Sequence, residues 1–112
     1  MNVNVTQESN YTLLRASGDV DGATAPTLQE AVLDAAEPGC RLLLDMSEVT
    51  YMSSAGLRIM LLLYRQITAG KGKAILVGLS EDLQDTMSAT GFLKFFTLAD
   101  DIAGGVIALD AS

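Results

Sequence analysis

Hydrophobic and polar residues alternate near the N-terminus and then give way to longer apolar runs. Val3 and Val5 alternate with polar neighbours, and a second run of β character follows at Tyr11 to Gly18 (YTLLRASG). Because only the polar stretch QESN separates them, the two runs predict an antiparallel hairpin. Two continuous apolar runs, RLLLDM (Arg41 to Met46) and AILVGL (Ala74 to Leu79), are typical of strands that are buried on both faces.

Apolar residues recur at helical spacing between these runs. Pro26 suits the first turn of a helix that has Thr24 or a neighbour as its N-cap. A second helix is predicted over Gly56 to Ala69, and Ser80 is placed to cap a third. FLKFFTL predicts a last short strand and ADDIAGGVIAL a terminal helix, which two adjacent glycines weaken by about 1 kcal/mol each. The apolar faces of the first two helices are Leu28, Ala31, Val32 and Ala35, and Leu57, Met60, Leu61, Tyr64 and Ile67.

The predicted elements follow the order β-β-α-β-α-β-α-(β)-α, where the bracketed strand is the FLKFFTL segment. Alternating strands and helices predict an α/β domain with parallel central strands, and the initial hairpin makes the β-sheet mixed. We expect the helices to pack mainly on one face of that sheet. The chain has 112 residues, the usual size of one domain, so residues 1–112 are predicted to form a single domain.

Charge and residue content narrow the classes of function. The chain has 14 acidic and 7 basic residues, and its net charge of −7 disfavours contact with a phosphate backbone, so no nucleic-acid partner is expected. The absence of histidine removes Ser-His and Cys-His nucleophile pairs and most zinc and iron sites. Neither a calcium-loop spacing nor a phosphate-binding glycine loop is present. The sequence therefore predicts a protein without metal, cofactor or enzymatic activity.

The sequence also indicates where the protein acts. A single cysteine, Cys40, excludes an internal disulfide and fits a reducing compartment. The N-terminal segment MNVNVTQESN lacks the basic and apolar regions of a secretory signal. The longest apolar stretch, Ile59 to Tyr64, is too short to cross a bilayer. We therefore expect a cytoplasmic protein that makes no membrane contact.

The stretch TYMSSAGLRI (Thr50 to Ile59) joins the third predicted strand to the second helix. Functional sites of open α/β sheets lie at such carboxyl ends of strands. Ser53 and Ser54 are expected at the start of the helix, where unpaired backbone N–H groups and the helix dipole favour negative charge. A plain N-cap and a bound or attached phosphate both fit serines at this position, and the residues alone favour the cap.

The segment LLLDMSEVTYMSSAGLRIMLLL resembles the signature of the STAS domain, the fold of bacterial anti-sigma factor antagonists. In that family an apolar strand ending in Asp is followed by a short loop, then D-S-S-G-L or S-S-A-G-L, then an apolar helix. Three further segments, GDVDGATAPTL, GKGKAILVGLS and TGFLKFF, are similar to the family in order and spacing. The resemblance extends from Tyr11 to Leu98, which is most of the chain.

The resemblance implies a regulatory role that depends on phosphorylation. In the family, an anti-sigma factor that is also a serine kinase phosphorylates a serine at the start of the second helix, and a PP2C-type phosphatase removes the phosphate. The unmodified antagonist binds the anti-sigma factor and thereby frees the sigma factor. Alignment through Gly56 and Leu57 places the phosphoacceptor at Ser54. Ser53 replaces the family's usual Asp and is the alternative acceptor, and Ala55 replaces the following serine.

The resemblance also implies a partner-binding surface around this serine. Asp21 and Asp45 are expected near Ser54 because all three lie on loops at strand ends, and Arg58 is placed to pair with a phosphate four residues before it. A constitutive accessory subunit of a lipid transporter, without phosphorylation, is the alternative function, and weak homodimerisation is left open. The residues expected to contact the partner are Asp21, Thr24, Ser53, Ala55, Gly56 and Arg58.

Overall fold

The predicted strands assemble in chain order into one mixed β-sheet. A computed structural model describes residues 1–111, and its strands are β1 (Asn2–Gln7), β2 (Thr12–Ser17), β3 (Arg41–Glu48), β4 (Lys73–Val77) and β5 (Thr97–Ala99). They lie side by side in the order β1-β2-β3-β4-β5. β1 pairs with β2 in antiparallel register, and the other neighbouring strands pair in parallel, which confirms the predicted hairpin and parallel centre.

Four α-helices within residues 1–111 complete the fold, and the predicted α/β class and element order are confirmed. They are α1 (Ala25–Ala35), α2 (Ser54–Ala69), α3 (Glu81–Ala89) and α4 (Ile102–Asp110). α2 begins two residues earlier than predicted, at Ser54, with Ser53 as its N-cap. Among residues 1–111, no helix combines the length and apolar character that crossing a membrane requires.

The FLKFFTL segment is a strand only in its last part. Leu93–Phe95 form a short 3₁₀ turn, and strand pairing begins at Thr97. The ring centroids of Tyr64 and Phe96 lie 5.3 Å apart in an edge-to-face arrangement, which is a favourable aromatic contact. Phe96 therefore packs on α2, and the strand is shorter than the propensity of its residues predicts.

Side chains of successive strand residues point to opposite faces of the sheet, so the buried leucines divide between two cores. Leu14, Leu42 and Leu44 belong to the larger core, which the inner faces of α1, α2 and α3 complete. Leu13 and Leu43 belong to the smaller core on the other face, under Leu109 of α4. Three helices cover one face and one covers the other, as the expectation of helices mainly on one face requires.

Gly105, the second glycine of the pair in α4, has a packing role that helix propensity does not reveal. A Cβ atom on Gly105 would lie 2.9 Å from a methyl carbon of Leu43 and 3.0 Å from one of Val77. The glycine therefore lets α4 approach the sheet closely. Packing against the smaller core offsets the weak helix propensity.

A backbone bridge joins the segment before α1 to the segment before α2. Val20 and Met52, both buried, form an isolated parallel β-bridge. The Val20 N–H donates to the carbonyl of Tyr51 at 2.9 Å, and the Ser53 N–H donates to the carbonyl of Val20 at 2.8 Å. A Cβ on Gly56, in the first turn of α2, would lie 2.7 Å from that same Val20 oxygen. The absence of a side chain at residue 56 thus allows the helix to start directly against the bridge.

We predict that Gly56→Ala destabilises the protein by about 1–3 kcal/mol, the usual cost of overpacking, although alanine is the better helix former by about 1 kcal/mol. The added methyl group would overlap a carbonyl oxygen that the bridge holds in place. Urea unfolding monitored by circular dichroism measures the change.

Gly22→Ala is the matched control, because a Cβ there would meet nothing closer than the Ala55 Cβ at 3.9 Å. Its free energy of unfolding should stay within about 0.5 kcal/mol of the wild type. Equal stability of the two variants would show that close approach at Gly56 is not required.

Candidate functional site

Ser53 caps α2 with its own hydroxyl. Its backbone is extended (φ −79°, ψ 172°), as N-cap residues usually are, and its Oγ accepts a hydrogen bond from the Gly56 N–H at 3.2 Å. Its carbonyl accepts from the Leu57 N–H at 2.9 Å, and the residue is half-buried. The Ser53 hydroxyl is therefore engaged in holding the helix start.

Ser54 is the first residue of α2 and is exposed. A helix N-terminus presents unpaired N–H groups and the positive end of the helix dipole, both of which favour an anion. Because Ser53 serves as the cap, the two adjacent hydroxyls have different surroundings. Arg58 is also exposed and lies four residues further along, on the same face of the helix.

The loop before α1 is closed by hydrogen bonds around Asp21. One carboxylate oxygen of Asp21 accepts from the Ala23 N–H at 2.9 Å and from the Thr24 N–H at 3.0 Å. These two hydrogen bonds hold the pKa of Asp21 below its ordinary value, and the one from the Thr24 N–H has the larger effect. Asp21 is thus a fixed negative charge at neutral pH.

Thr24 occupies the N-cap position of α1, but its side chain does not cap the helix. Its backbone lies in the right-handed helical region (φ −101°, ψ −22°), which turns the hydroxyl away from the free N–H groups of the first turn. The hydroxyl accepts from the Asp21 N–H at 2.9 Å and donates to the Asp19 carbonyl at 2.7 Å. Thr24 therefore closes the Asp21 loop.

The Asp21 loop and the start of α2 lie against each other. Beyond the bridge through Val20, the Cα of Gly22 faces Ala55, whose Cβ is 3.9 Å from a Cβ built on Gly22. Ala55 is half-buried and Gly56 is buried, so these two residues position the surface more than they form it. The structure thus brings Asp21, Thr24 and the start of α2 together, as expected from the sequence.

The expectation that Asp45 lies on a loop at the end of the strand is wrong. β3 continues to Glu48, which leaves Asp45 inside the strand. One carboxylate oxygen of Asp45 accepts from the Ser47 N–H at 3.0 Å, and the other lies 3.4 Å from Nε of Arg15. The predicted strand ended at Met46, close to Asp45, because polar Ser47 and Glu48 follow the apolar run.

Tyr51 is a surface feature that the sequence analysis missed. Its side chain is 54% exposed, although its backbone is held by the bridge. Beside it, the Thr50 hydroxyl donates to a carboxylate oxygen of Asp19 at 3.3 Å. An aromatic residue within a polar loop was the available signal, since exposed aromatic residues often anchor protein interfaces. We call Asp19, Asp21, Tyr51, Ser54 and Arg58 together the helix-start surface.

The chain also matches a family model and named relatives. Residues 2–104 match the family model of the STAS domain. The chain is 30% identical over 106 residues to the anti-sigma-B factor antagonist of Bacillus subtilis (strain 168), which covers 95% of this chain and 97% of that one. The name of that relative describes an antagonist and not an enzyme.

Solved structures share the fold. The crystal structure of an anti-sigma factor antagonist from Mycobacterium paratuberculosis superposes with a TM-score of 0.84 at 24% identity, covering 97% of this chain and 93% of that one. The Bacillus cell fate determinant SpoIIAA in its phosphorylated form has a TM-score of 0.68 at 17% identity, covering 98% of each chain. The match to the family model over residues 2–104, together with the Bacillus subtilis relative, shows that the chain belongs to the STAS domain family.

Proposed function

We propose that this protein is an anti-sigma factor antagonist whose binding to an anti-sigma factor kinase is switched off by phosphorylation of Ser54. The name of the Bacillus subtilis relative, which matches over nearly the whole of both chains, supports the antagonist role. The single observation that carries the choice of residue is the difference between the two serines. Ser53 is half-buried and caps α2, whereas Ser54 is exposed beside it.

The phosphate would act on binding and leave the fold intact. A phosphoserine adds about −1.5 to −2 charge, and at a helix N-terminus the dipole favours that charge by about 0.3–1 kcal/mol. Arg58, on the next turn, supplies a positive group on the same face. A domain of this size is stable by roughly 5–15 kcal/mol, so a group added to exposed Ser54 leaves the two cores undisturbed.

The same phosphate opposes the complex with a kinase. For phosphoryl transfer, the donor phosphates of the kinase must come within bonding approach of the Ser54 oxygen. After transfer, the phosphoserine faces the negative phosphates of the nucleotide in a closed interface. Like charges placed together in this way cost several kcal/mol, which is about two or more decades in affinity. Removal of the exposed phosphate by a PP2C-type phosphatase would restore binding.

The carboxylates of the helix-start surface give the kinase a second feature to recognise. Asp19 and Asp21 lie on the loop that packs against the start of α2. Together with the net charge of −7, they favour a partner whose contact surface is basic. Tyr51, whose side chain is 54% exposed, adds an apolar anchor to this surface.

We predict that the cognate anti-sigma kinase with Mg-ATP modifies the wild type and Ser53→Ala at Ser54, and leaves Ser54→Ala unmodified. Phosphopeptide mapping by mass spectrometry measures the site. Ser53→Ala should lose about 1 kcal/mol of stability because the cap is removed, whereas Ser54→Ala should keep wild-type stability. Full phosphorylation of the Ser54→Ala protein would contradict this assignment and would indicate Ser53 as the acceptor.

We predict that Asp21 titrates below the ordinary aspartate pKa of about 3.9. Since its pKa is lower in the folded than in the unfolded chain, the stability from its ionised form is complete above about pH 3.9. That stability is lost as the pH falls through the folded pKa. Carbon-detected NMR of the side-chain carboxyl measures the pKa directly.

Asp21→Asn keeps the acceptor oxygen and removes the charge, so it serves as the reference. The stability difference between wild type and Asp21→Asn should be constant from pH 7 to about pH 5 and should shrink below about pH 4. A difference that persists unchanged at pH 2, or an Asp21 pKa above the ordinary value, would contradict the hydrogen-bonded carboxylate.

A further inference from the structure

The outer edge of the sheet at β1 lacks the usual protection against strand pairing. β1 has six residues, NVNVTQ, and contains no proline, lysine or other charged side chain. Its register with β2 is continuous from Asn2–Ser17 to Gln7–Thr12, without a bulge. Proteins normally blunt exposed edges with charges, prolines, bulges or very short strands. The opposite edge follows that rule, because β5 has only three residues.

A groove runs between this edge and α1. It has a volume of about 450 Å³, and its walls include Val3, Val5 and Gln7 of β1 and Glu30, Ala31 and Asp34 of α1. Val5 is 50% exposed, so an apolar strip is open to solvent beside two carboxylates. None of these residues belongs to the helix-start surface.

The charge around the groove has one sign. Among residues 1–111, the lining of the groove includes no basic side chain. A second groove of about 370 Å³ continues from it through Gln7 and Asp34, and adds Glu8 and Glu37. Its one base, Arg41, is engaged by the carbonyls of Asn10 and Leu109 and by the Asp110 carboxylate.

We propose that β1 accepts an extended basic segment of a partner protein, which adds to the sheet as a further strand. Six residues in β conformation span about 20 Å, the length of β1. Every second side chain of such a segment would project into the groove. A Lys or Arg there lays its aliphatic stem along Val5 and Ala31 and brings its charge to Glu30 or Asp34. Backbone pairing gives affinity and the alternating charges give specificity.

Charge also argues against a second copy of this chain as the occupant. Continuing the sheet through two β1 edges would place both α1 helices on the same side, with their acidic grooves facing one another. Each copy carries a net charge of −7. Like charges at that distance oppose association, whereas a basic segment is attracted.

The test uses two fluorescent peptides of the same composition, RTRTRTR and RRRRTTT, with the intact protein. Fluorescence anisotropy gives their affinities, and hydrogen exchange followed by NMR reports the β1 amides. We expect the alternating peptide to bind at least about fivefold more tightly than the block peptide and to slow exchange along β1. Equal affinity would mean that bulk charge alone drives binding, and would overturn the proposal, as would no binding of either peptide.

Charge-neutral variants locate the site. The double variant Glu30→Gln with Asp34→Asn should bind the alternating peptide about fivefold or more weakly, because two ion pairs are lost. Asp82→Asn with Asp85→Asn is the matched control, since these exposed acids lie on α3 and should change the affinity by less than about twofold. Equal losses in the two double variants would overturn the assignment to the groove. Sedimentation equilibrium without peptide provides a further check, and a dimer with protected β1 amides would make the second copy the occupant instead.

Discussion

The close contact between the Val20 bridge and Gly56 determines how the parts of the helix-start surface are positioned relative to one another. Two short backbone hydrogen bonds connect the loop before α1 with the residues before α2, and Gly56 lets the first turn of α2 lie directly on the Val20 carbonyl. Because of this contact, the two segments start their helices side by side, although Asp21 and Tyr51 are 30 positions apart in the chain. Asp21 and Ser54 thus share one surface through backbone geometry and without a direct hydrogen bond between their side chains.

Capping and switching are compatible at the same helix end because two residues divide the work. Ser53 satisfies an N–H group of the first turn, so the helix start does not depend on the state of Ser54. Charge added to Ser54 meets solvent and the helix dipole, while both hydrophobic cores lie elsewhere. A modification at this position can therefore change what the surface binds and leave the folded state nearly unchanged. The sheet and its helices act as a rigid support for a local change in charge.

The sequence predicted those features that arise from local patterns. Continuous apolar runs identified β3 and β4, helical spacing identified α1 and α2, and the order of elements gave the mixed sheet. Features decided by tertiary contact were missed or misjudged. Helix propensity predicted only that Gly105 weakens α4, because its contact with β3 and β4 cannot be read from the sequence. Part of FLKFFTL packs on Tyr64 and does not pair as a strand. Asp45 was assigned to a loop because an apolar pattern cannot show that β3 continues through polar Ser47 and Glu48.

The most direct test of the account compares the affinity of the cognate anti-sigma factor for the unmodified protein and for protein phosphorylated stoichiometrically at Ser54. Titration calorimetry at one salt and nucleotide concentration gives both affinities, and calorimetric unfolding gives both melting temperatures. We expect the phosphorylated form to bind at least about a hundredfold more weakly, with melting temperatures within a few degrees of each other. Equal affinities would contradict the switch. A loss of affinity accompanied by a large fall in melting temperature would show that the phosphate acts on the fold, contrary to the account.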